Sequence, residues 1–357
     1  MSLSPDLSAL RRLGLSAAVL QRALECVPPA GGRLARVTEI QRDHAQVHDG
    51  HGAGPACLWP TLRLRLQIAD DALVVGDWVW LRDGDAGAPA WIVARVPPTG
   101  RIGRRDVSGG RQPLVANVDT AVLVMGLDGD FNLRRLDRFL VLAHTGGVDA
   151  VVALTKADRC ADPAAAIARV QAHIGGDRPV RALDARDAEA AVAALAPWLG
   201  CGRTLVLLGA SGTGKSTLTQ GLTGQAQATR GVRGGDDRGL HTTTVRSLHT
   251  APGGACLIDT PGLRQLWLDA DARQLGEAFG EIGVWAAACR FRDCRHAEEP
   301  GCAVRERLAP ARLQSYHKLL REAQWAADDS PQVRRALRAQ WKQRSRATRA
   351  AQRRPPE

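Results

Sequence analysis

The sequence predicts an α/β protein built on a parallel sheet, and two observations carry this prediction. First, short apolar runs alternate with stretches of helical length between about residues 114 and 267. Second, one of these runs leads directly into a glycine-rich turn. The predicted strands are 121–124, 150–154, 205–208 and 256–258, and the predicted helices include 133–145 and 163–174.

The glycine-rich turn fits the pattern G-x-x-x-x-G-K-[ST] in full and follows the run 205–208. In this pattern, backbone N–H groups cradle phosphates at a helix N-terminus, the lysine reaches the β- and γ-phosphates, and the serine ligates Mg²⁺. A chance match in a glycine-rich chain is the alternative, but the preceding strand argues against it. The predicted nucleotide-binding residues are Gly209, Ala210, Ser211, Gly212, Thr213, Gly214, Lys215, Ser216 and Thr217.

A second motif, D-T-P-G, ends the apolar run 256–258. Asp259 stands at a strand end beside the phosphate loop, where a carboxylate supports the Mg²⁺ shell. The backbone N–H of Gly262 can meet a γ-phosphate. We therefore expect Asp259 and Gly262 to bind the nucleotide together with the phosphate loop.

A third motif, T-K-x-D, ends the run 150–154 and has the form of a guanine-recognition sequence. The Asp158 carboxylate can accept hydrogen bonds from guanine N1–H and from the 2-amino group. The stem of Lys156 can lie across the base while its ammonium group stays solvated. A helix-capping Asp158 is the alternative for this motif alone. With the other two motifs, Thr155, Lys156 and Asp158 predict a guanine site.

The order of these motifs differs from that in ordinary GTPases, because the guanine motif precedes the phosphate loop instead of following it. The order indicates a circularly permuted domain, which is feasible when the original termini lie close together at the surface. The segment after Asp259 then leads directly into the C-terminal region. Nucleotide state is thereby linked covalently to that region.

The candidate switch is the glycine-rich segment 231–240, which leads into His241 and three threonines. We expect Thr243 to complete the Mg²⁺ shell in the GTP state. Leu263 occupies the position where most GTPases carry the glutamine that orients water. We expect His241 to be catalytic in its place, because imidazole can orient water or accept a proton near neutral pH. The alternative is that His241 only caps or packs the switch, and slow unaided turnover follows in either case.

A cluster of three cysteines and one histidine predicts a metal site near position 290: Cys289, Cys294, His296 and Cys302. These ligands complete a tetrahedral shell, so we expect one structural Zn²⁺ that also supplies folding energy to a small module. The other five cysteines are scattered or lie in a predicted strand, which argues against a disulfide framework.

The N-terminal third predicts a helix over 13–26 and then a small closed barrel. The five predicted barrel strands are 33–37, 45–48, 62–66, 77–81 and 91–96. Arg63 and Arg65 with Trp78 and Trp80 are compatible with nucleic-acid binding, and core packing with a solvated arginine face is the alternative. The arginine-rich segment 97–113 reads as a linker, either a flexible tether or a phosphate contact.

Composition points to a polyanionic partner, because the 357-residue chain carries a net charge of +11. RNA is the expected partner, and an acidic protein surface is the alternative. No apolar run reaches membrane-spanning length and no signal pattern begins the chain, so we expect a cytoplasmic protein with no membrane partner. Near the C-terminus we expect a helix over 308–327 with a structural His317, and a solvated or RNA-grasping basic tail.

Over roughly residues 33 to 325, the chain resembles the RsgA family, circularly permuted GTPases that assist maturation of the small ribosomal subunit. The residues that carry the resemblance are 116–119, 131–133, 136–140, 155–158, the phosphate loop, 241–244, 259–262 and the Cys/His cluster. The resemblance implies an OB-fold barrel, zinc at the Cys/His cluster and hydrolysis through His241. It also implies GTP and GDP as ligands, and the small ribosomal subunit with its rRNA as the stimulating partner. Two departures are Thr155 in place of the commoner Asn, and a guanine-contacting loop visible only as 182–185.

The predicted fold is therefore α/β, with a circularly permuted P-loop GTPase domain between an OB-fold β-barrel and a small zinc-binding, mostly helical domain. A monomer is expected. Two other functions remain open: a nucleotide-gated RNA-binding protein with negligible turnover, and a P-loop kinase, against which Asp158 argues. The predicted domains are an arm (1–32), the OB-fold (33–98), the linker (99–113), the GTPase domain (114–267), the zinc domain (268–328) and a basic tail (329–357).

Overall fold

A computed structural model of the chain describes residues 6–26, 31–41, 44–84, 88–106, 110–129, 131–175, 178–224, 246–262 and 267–327. Its strands are β1 (Arg33–Ile40), β2 (Ala45–His48), β3 (Ala53–Leu58), β4 (Trp78–Arg82), β5 (Ala90–Arg95), β6 (Arg101–Arg105), β7 (Arg111–Ala116), β8 (Thr120–Gly126), β9 (Asp149–Thr155), β10 (Val180–Ala182), β11 (Thr204–Gly209), β12 (Ser247–Thr250), β13 (Cys256–Asp259) and β14 (Trp267–Leu268). Its α-helices are α1 (Leu7–Arg12), α2 (Ala17–Glu25), α3 (Pro60–Ile68), α4 (Leu133–Thr145), α5 (Pro163–Ile174), α6 (Ala188–Leu195), α7 (Lys215–Thr223), α8 (Ala272–Ala278), α9 (Gly280–Ala286), α10 (Ala303–Arg307) and α11 (Pro310–Ala327).

The central sheet has the strand order β10-β9-β8-β11-β13-β12. Its first five strands are parallel, and β12 pairs with β13 in the antiparallel sense. Apolar side chains pack on both faces of the sheet, as expected for near-continuous apolar strands under helices. The four predicted strands and the helices 133–145 and 163–174 are confirmed. All carboxyl ends of the parallel strands lie at one edge, where the site forms.

A closed five-stranded barrel precedes this sheet, with the order β1-β2-β3-β5-β4 and with β4 pairing back onto β1. The prediction of a strand over 62–66 is wrong, because these residues lie in helix α3. Pro60 occupies the first turn of α3, and Leu62 and Leu66, one helical turn apart, are buried while Leu64 is 57% exposed. The fifth strand of the barrel is β3 instead.

The N-terminal helices cover the outside of the barrel. The predicted helix over 13–26 is confirmed in part, because α2 covers Ala17–Glu25 and is capped by Ser16, which accepts from the Val19 N–H. A separate helix that was not predicted, α1, ends before it at Arg12. Both helices pack against Trp78 and Trp80, which are 0% and 8% exposed. Of the two interpretations left open for these tryptophans, nucleic-acid contact and packing, the structure therefore supports packing.

The predicted linker is a β-hairpin, because β6 and β7 pair with each other and β14 pairs with β6. Asp269 stabilises this small sheet by forming ion pairs with Arg105 and Arg111 at 3.0 and 3.1 Å. Pro113, the last residue of the predicted linker, lies within β7 opposite Gly103. The described residues of this segment therefore form β-structure, and the interpretation as a flexible tether is wrong.

Helices α8 to α11 form the C-terminal module around Phe279, Leu275 and Val304. The predicted helix over 308–327 begins at Pro310, and His317 has the structural role expected of it, because its Nε2 donates to the Arg295 carbonyl at 3.1 Å. In the described part of the chain, no helix combines the length and apolarity that crossing a bilayer requires.

Candidate functional site

A cavity of about 490 Å³ lies at the carboxyl edge of the parallel sheet. This size is typical of small-molecule sites, which measure roughly 300–1,000 Å³. It brings together all three sequence motifs, although they are separated by up to about 100 residues in the chain. The predicted residues that line it are Lys156, Asp158, Ser211, Gly212, Gly214, Lys215, Ser216, Thr217 and Gly262.

Five predicted residues support this cavity from behind rather than line it: Thr155, Gly209, Ala210, Thr213 and Asp259. Thr155 is fully buried, and its Oγ1 donates to the Thr213 carbonyl at 2.7 Å. Thr213 Oγ1 in turn donates to the Ala210 carbonyl at 2.9 Å. Thr155 therefore joins the guanine motif to the phosphate loop by a direct hydrogen bond.

The phosphate loop has the backbone geometry that an anion cradle requires. Gly212 and Gly214 have φ of +81° and +85°, a region that favours glycine. Helix α7 begins at Lys215, so its free N–H groups face the loop. The Lys215 ammonium group donates to the Ala210 carbonyl at 2.5 Å, which folds the side chain back over the loop.

Oxygen donors suited to Mg²⁺ lie together beside this loop. Ser216 Oγ is 3.4 Å from Asp259 Oδ2, and Asp259 is fully buried at the end of β13. Hydroxyl and carboxylate oxygens are the ligands that Mg²⁺ takes when phosphates supply the remainder of its shell. This pair fits the ion that the sequence predicts.

Gly262 and Ser211 approach so closely that no side chain fits between them. A Cβ built on Gly262 would lie 2.6 Å from the Ser211 backbone nitrogen, a distance that real Cβ atoms do not adopt. Thr260 fixes this approach by donating from its Oγ1 to the Leu207 carbonyl at 2.6 Å. The D-T-P-G segment therefore needs its glycine to reach the phosphate loop.

The guanine end of the cavity is lined by Arg159 and Arg186, two charged residues that the sequence motifs did not single out. Arg186 donates to Asp158 Oδ2 at 2.7 Å and to both oxygens of Asp184. These side-chain hydrogen bonds lower the pKa of Asp184 and raise the pKa of Arg186. Asp128 pairs with the Lys156 ammonium group at 2.5 Å. The only sequence signal for these contacts at the guanine end was the predicted loop 182–185, of which Asp184 and Ala185 line the cavity.

The switch residues His241 and Thr243 lie outside the described residues, and so do Leu263, the segment 231–240 and the tail 329–357. The position of His241 relative to the cavity thus stays a prediction. The same holds for Thr243 as a Mg²⁺ ligand.

The four predicted metal ligands converge in the C-terminal module, with their ligand atoms all within 4.8 Å of one another. Cys289 Sγ is 3.9 Å from Cys302 Sγ and 3.7 Å from His296 Nδ1, and Cys302 Sγ is 3.4 Å from His296 Nδ1. Tetrahedral zinc with Zn–S near 2.3 Å places sulfurs roughly 3.8 Å apart. The donor set and its spacing are thus compatible with zinc.

A carboxylate that the sequence did not single out organises this ligand loop. Glu299 accepts hydrogen bonds from the backbone N–H groups of Arg295, Ala297 and Glu298 at 2.9, 2.9 and 3.1 Å. Backbone hydrogen bonds of this kind lower the pKa of Glu299 to about 2. The loop between Cys294 and Cys302 is therefore closed around an ionised carboxylate.

Comparisons with known proteins give the family. The sequence profile of the RsgA GTPase family matches residues 97–269. The small ribosomal subunit biogenesis GTPase RsgA of Xylella fastidiosa (strain 9a5c) is 52% identical over 266 residues, which are 72% of this chain and 75% of that relative. This chain belongs to the RsgA family. The RsgA of Xanthomonas oryzae pv. oryzae (strain PXO99A) is 47% identical over 263 residues, which are 71% of this chain and 70% of that relative.

Solved structures agree with the RsgA assignment. YjeQ from Thermotoga maritima is similar with a TM-score of 0.61 and 25% identity, covering 82% of this chain and 98% of that one. YloQ, described as a circularly permuted GTPase, has a TM-score of 0.58 and 22% identity, and the match covers 84% of this chain and 96% of that one. At this identity the similarity to YloQ is evidence for the fold only. The chain is thus an RsgA-family GTPase with a circularly permuted fold and an N-terminal β-barrel.

Proposed function

We propose that this RsgA-family GTPase binds the small ribosomal subunit and its rRNA, and that GTP binding and hydrolysis time its release during late maturation. The observation that carries the proposal is the 52% identity, over 72% of the chain, to a relative named for small ribosomal subunit biogenesis. The net charge of +11 supports an RNA partner. The protein would act as a monomer in the cytoplasm, with the subunit stimulating hydrolysis.

At the nucleotide site, GTP would take the cavity at the carboxyl edge of the sheet. Lys215 and the phosphate loop would hold its phosphates, Asp158 its base, and Gly262 would meet the γ-phosphate. Mg²⁺ would bind Ser216 and Thr243, with Asp259 beside it, and would neutralise charge on the phosphates.

His241 is the residue that we propose to orient the attacking water, because Leu263 carries no group that can do so. Imidazole can accept a hydrogen bond or a proton near neutral pH. A nucleotide-gated RNA-binding protein with negligible turnover is the second candidate, and Leu263 is the observation that favours it. A His241→Ala variant that keeps full subunit-stimulated turnover would remove His241 from this role.

The two flanking domains would hold the subunit. We propose that the barrel is an OB-fold, supported by its five strands in the closed order β1-β2-β3-β5-β4. We propose one structural Zn²⁺ at Cys289, Cys294, His296 and Cys302, supported by the spacing of these ligand atoms. Elemental analysis of the purified protein should give one zinc per chain, and Cys302→Ser should lose it.

Co-sedimentation with purified small subunits tests the proposed function. The protein should pellet with subunits in the presence of a non-hydrolysable GTP analogue and stay in the supernatant with GDP. Lys215→Ala, which removes the ammonium group from the phosphate loop, should abolish the difference between the two nucleotides. Equal sedimentation with both nucleotides in the unmodified protein would contradict nucleotide-timed release.

A further inference from the structure

A large cleft lies away from the nucleotide site, between helix α4 of the GTPase domain and helix α11 with the loop 289–302. Its volume is about 1360 Å³, above the range of roughly 300–1,000 Å³ that suits a small molecule. Arg134 and Arg138 stand on the α4 wall, one helical turn apart. Lys318 and Arg321 stand on the α11 wall at a similar spacing. We call this feature the α4–α11 cleft.

The α4–α11 cleft is strongly basic. Six lysine or arginine side chains line it, against a single carboxylate, that of Glu322. Glu322 is already bonded to Arg138 at 2.7 Å. Within the described residues, Arg295, Lys318 and Arg321 are exposed and form no ion pair. The cleft therefore presents uncompensated positive charge along its length.

Hydrogen bonds position the Arg134 side chain and the Arg295 backbone in this cleft. Arg134 donates to Gln314 Oε1 at 2.9 Å, which joins the two walls directly. His317 donates to the Arg295 carbonyl at 3.1 Å, and Glu299 accepts from the Arg295 N–H at 2.9 Å. The backbone of Arg295 is thus held by hydrogen bonds to α11 and to the metal-ligand loop. A preformed cationic surface loses less entropy on binding than a flexible one.

We propose that the α4–α11 cleft binds the sugar-phosphate backbone of a single-stranded RNA segment, and that the bound strand touches the GTPase domain and the C-terminal module together. Guanidinium groups pair with phosphate oxygens through two parallel hydrogen bonds, which favours Arg134 and Arg321 as phosphate ligands. The half-buried rings of Tyr316 and His317 also line the cleft and offer faces for an unstacked base. This inference rests on the proposed function, in which the partner is a particle made of RNA and protein.

The position of the cleft gives the contact a consequence for the nucleotide site. Helix α4 begins beside the phosphate loop, where Asn132, Arg135 and Ala210 line one small cavity. An RNA strand that bridges α4 and α11 would therefore contact the helix that borders the phosphate loop. A contact on the barrel alone would not reach that helix.

The test uses full-length, zinc-loaded protein and a fluorescent single-stranded RNA of about 20 nucleotides, titrated at several salt concentrations. The variant is Lys318→Glu/Arg321→Glu, and the matched control is Arg305→Glu/Arg307→Glu, which changes the charge equally on exposed residues of the same module outside the cleft. The cleft variant should bind about tenfold more weakly, and the slope of log K against log salt should fall by roughly 1.4, the value for two lost phosphate contacts on a single strand. The control should match the unmodified protein.

Three results would overturn the inference: no loss in the cleft variant, an equal loss in the control, or a loss of binding to polyglutamate without a loss to RNA. The last result would reassign the cleft to an acidic protein segment. Subunit-free GTP turnover, unchanged in both variants, verifies that they are folded. Because no ribosomal subunit is present in the titration, its outcome is separate from the outcome of the co-sedimentation test.

Discussion

Arg312 of α11 donates a hydrogen bond to Asp137 of α4 at 2.5 Å, and both side chains are buried at the joint between the GTPase domain and the C-terminal module. Asp137 also lies 3.0 Å from His173 Nε2, and Arg312 donates to Glu281 at 2.7 Å. The guanidinium group rests over the Phe279 ring at 4.3 Å. Asp137 belongs to the segment 136–140 that carried the family resemblance, and its role in the structure is to dock the two domains.

Replacing Asp137 should weaken this joint. Asp137→Asn leaves a buried Arg312 with Glu281 as its remaining carboxylate, so we expect a loss of about 3–5 kcal/mol in the free energy of unfolding. The double variant Asp137→Leu/Arg312→Met removes both charges and should recover most of that loss. Urea unfolding measures both, and a cost below about 1 kcal/mol for Asp137→Asn would show that the ion pair does not hold the joint.

Thr155→Val should impair nucleotide binding although Thr155 does not line the cavity. The change removes the donor to the Thr213 carbonyl and leaves a buried acceptor unsatisfied, at a cost of about 1–3 kcal/mol. We expect GDP affinity to fall about tenfold in a fluorescent-nucleotide titration. Thr155→Ser keeps the hydroxyl and should bind as the unmodified protein does. Equal loss in both variants would indicate a packing effect of the methyl group instead.

Asp158→Asn should change which base is preferred. Asn has one acceptor and places an NH₂ group opposite the guanine 2-amino group, so GDP affinity should fall roughly 10- to 100-fold. Xanthosine diphosphate, which carries a carbonyl oxygen at that position, should bind the variant more tightly than GDP does. Competition titrations with both nucleotides measure the preference. Unchanged preference for GDP would remove Asp158 from guanine recognition.

Asp77 should give stability a pH dependence, because burial raises the pKa of this fully buried carboxyl group to about 6 from its usual 3.8. The native state then binds more protons than the unfolded state. The contribution of Asp77 to folding stability is therefore complete below about pH 4 and is lost as pH rises through about 6. The full loss corresponds to about 3 kcal/mol. Asp77→Asn lacks this titration. Relative to the unmodified protein, its free energy of unfolding should therefore rise by about 2 kcal/mol between about pH 4.5 and about pH 7.5. Parallel pH profiles of the two proteins in urea unfolding would contradict the assignment.

The sequence predicted the central sheet and the motif residues of the cavity because phosphate and guanine chemistry restrict residue type and spacing within short segments. The barrel was predicted less accurately. Alternation in 62–66 fits a strand, but Leu62 and Leu66 also stand one helical turn apart, and Pro60 marks the helix start. Trp78 and Trp80 alternate like surface residues on one barrel face, and only the packing of α1 and α2 buries them.

Contacts between distant segments could not be predicted in this way. Arg312 reads as an ordinary helix-surface cation, and its burial depends on Asp137, 175 positions away. The Arg186 contact with Asp158 likewise joins two loops whose proximity follows from the parallel pairing of β9 and β10. Charged residues at such joints carry no local signal, because pairing partners are set by topology rather than by neighbouring sequence.

The most direct test of the central claim is steady-state GTP hydrolysis by the purified protein, alone and with isolated small ribosomal subunits, with Asp158→Asn as the control. We expect slow turnover alone, strong stimulation by subunits, and loss of that stimulation in the variant at limiting GTP. Turnover that subunits leave unchanged would contradict a subunit-dependent GTPase and would favour the nucleotide-gated RNA-binding protein.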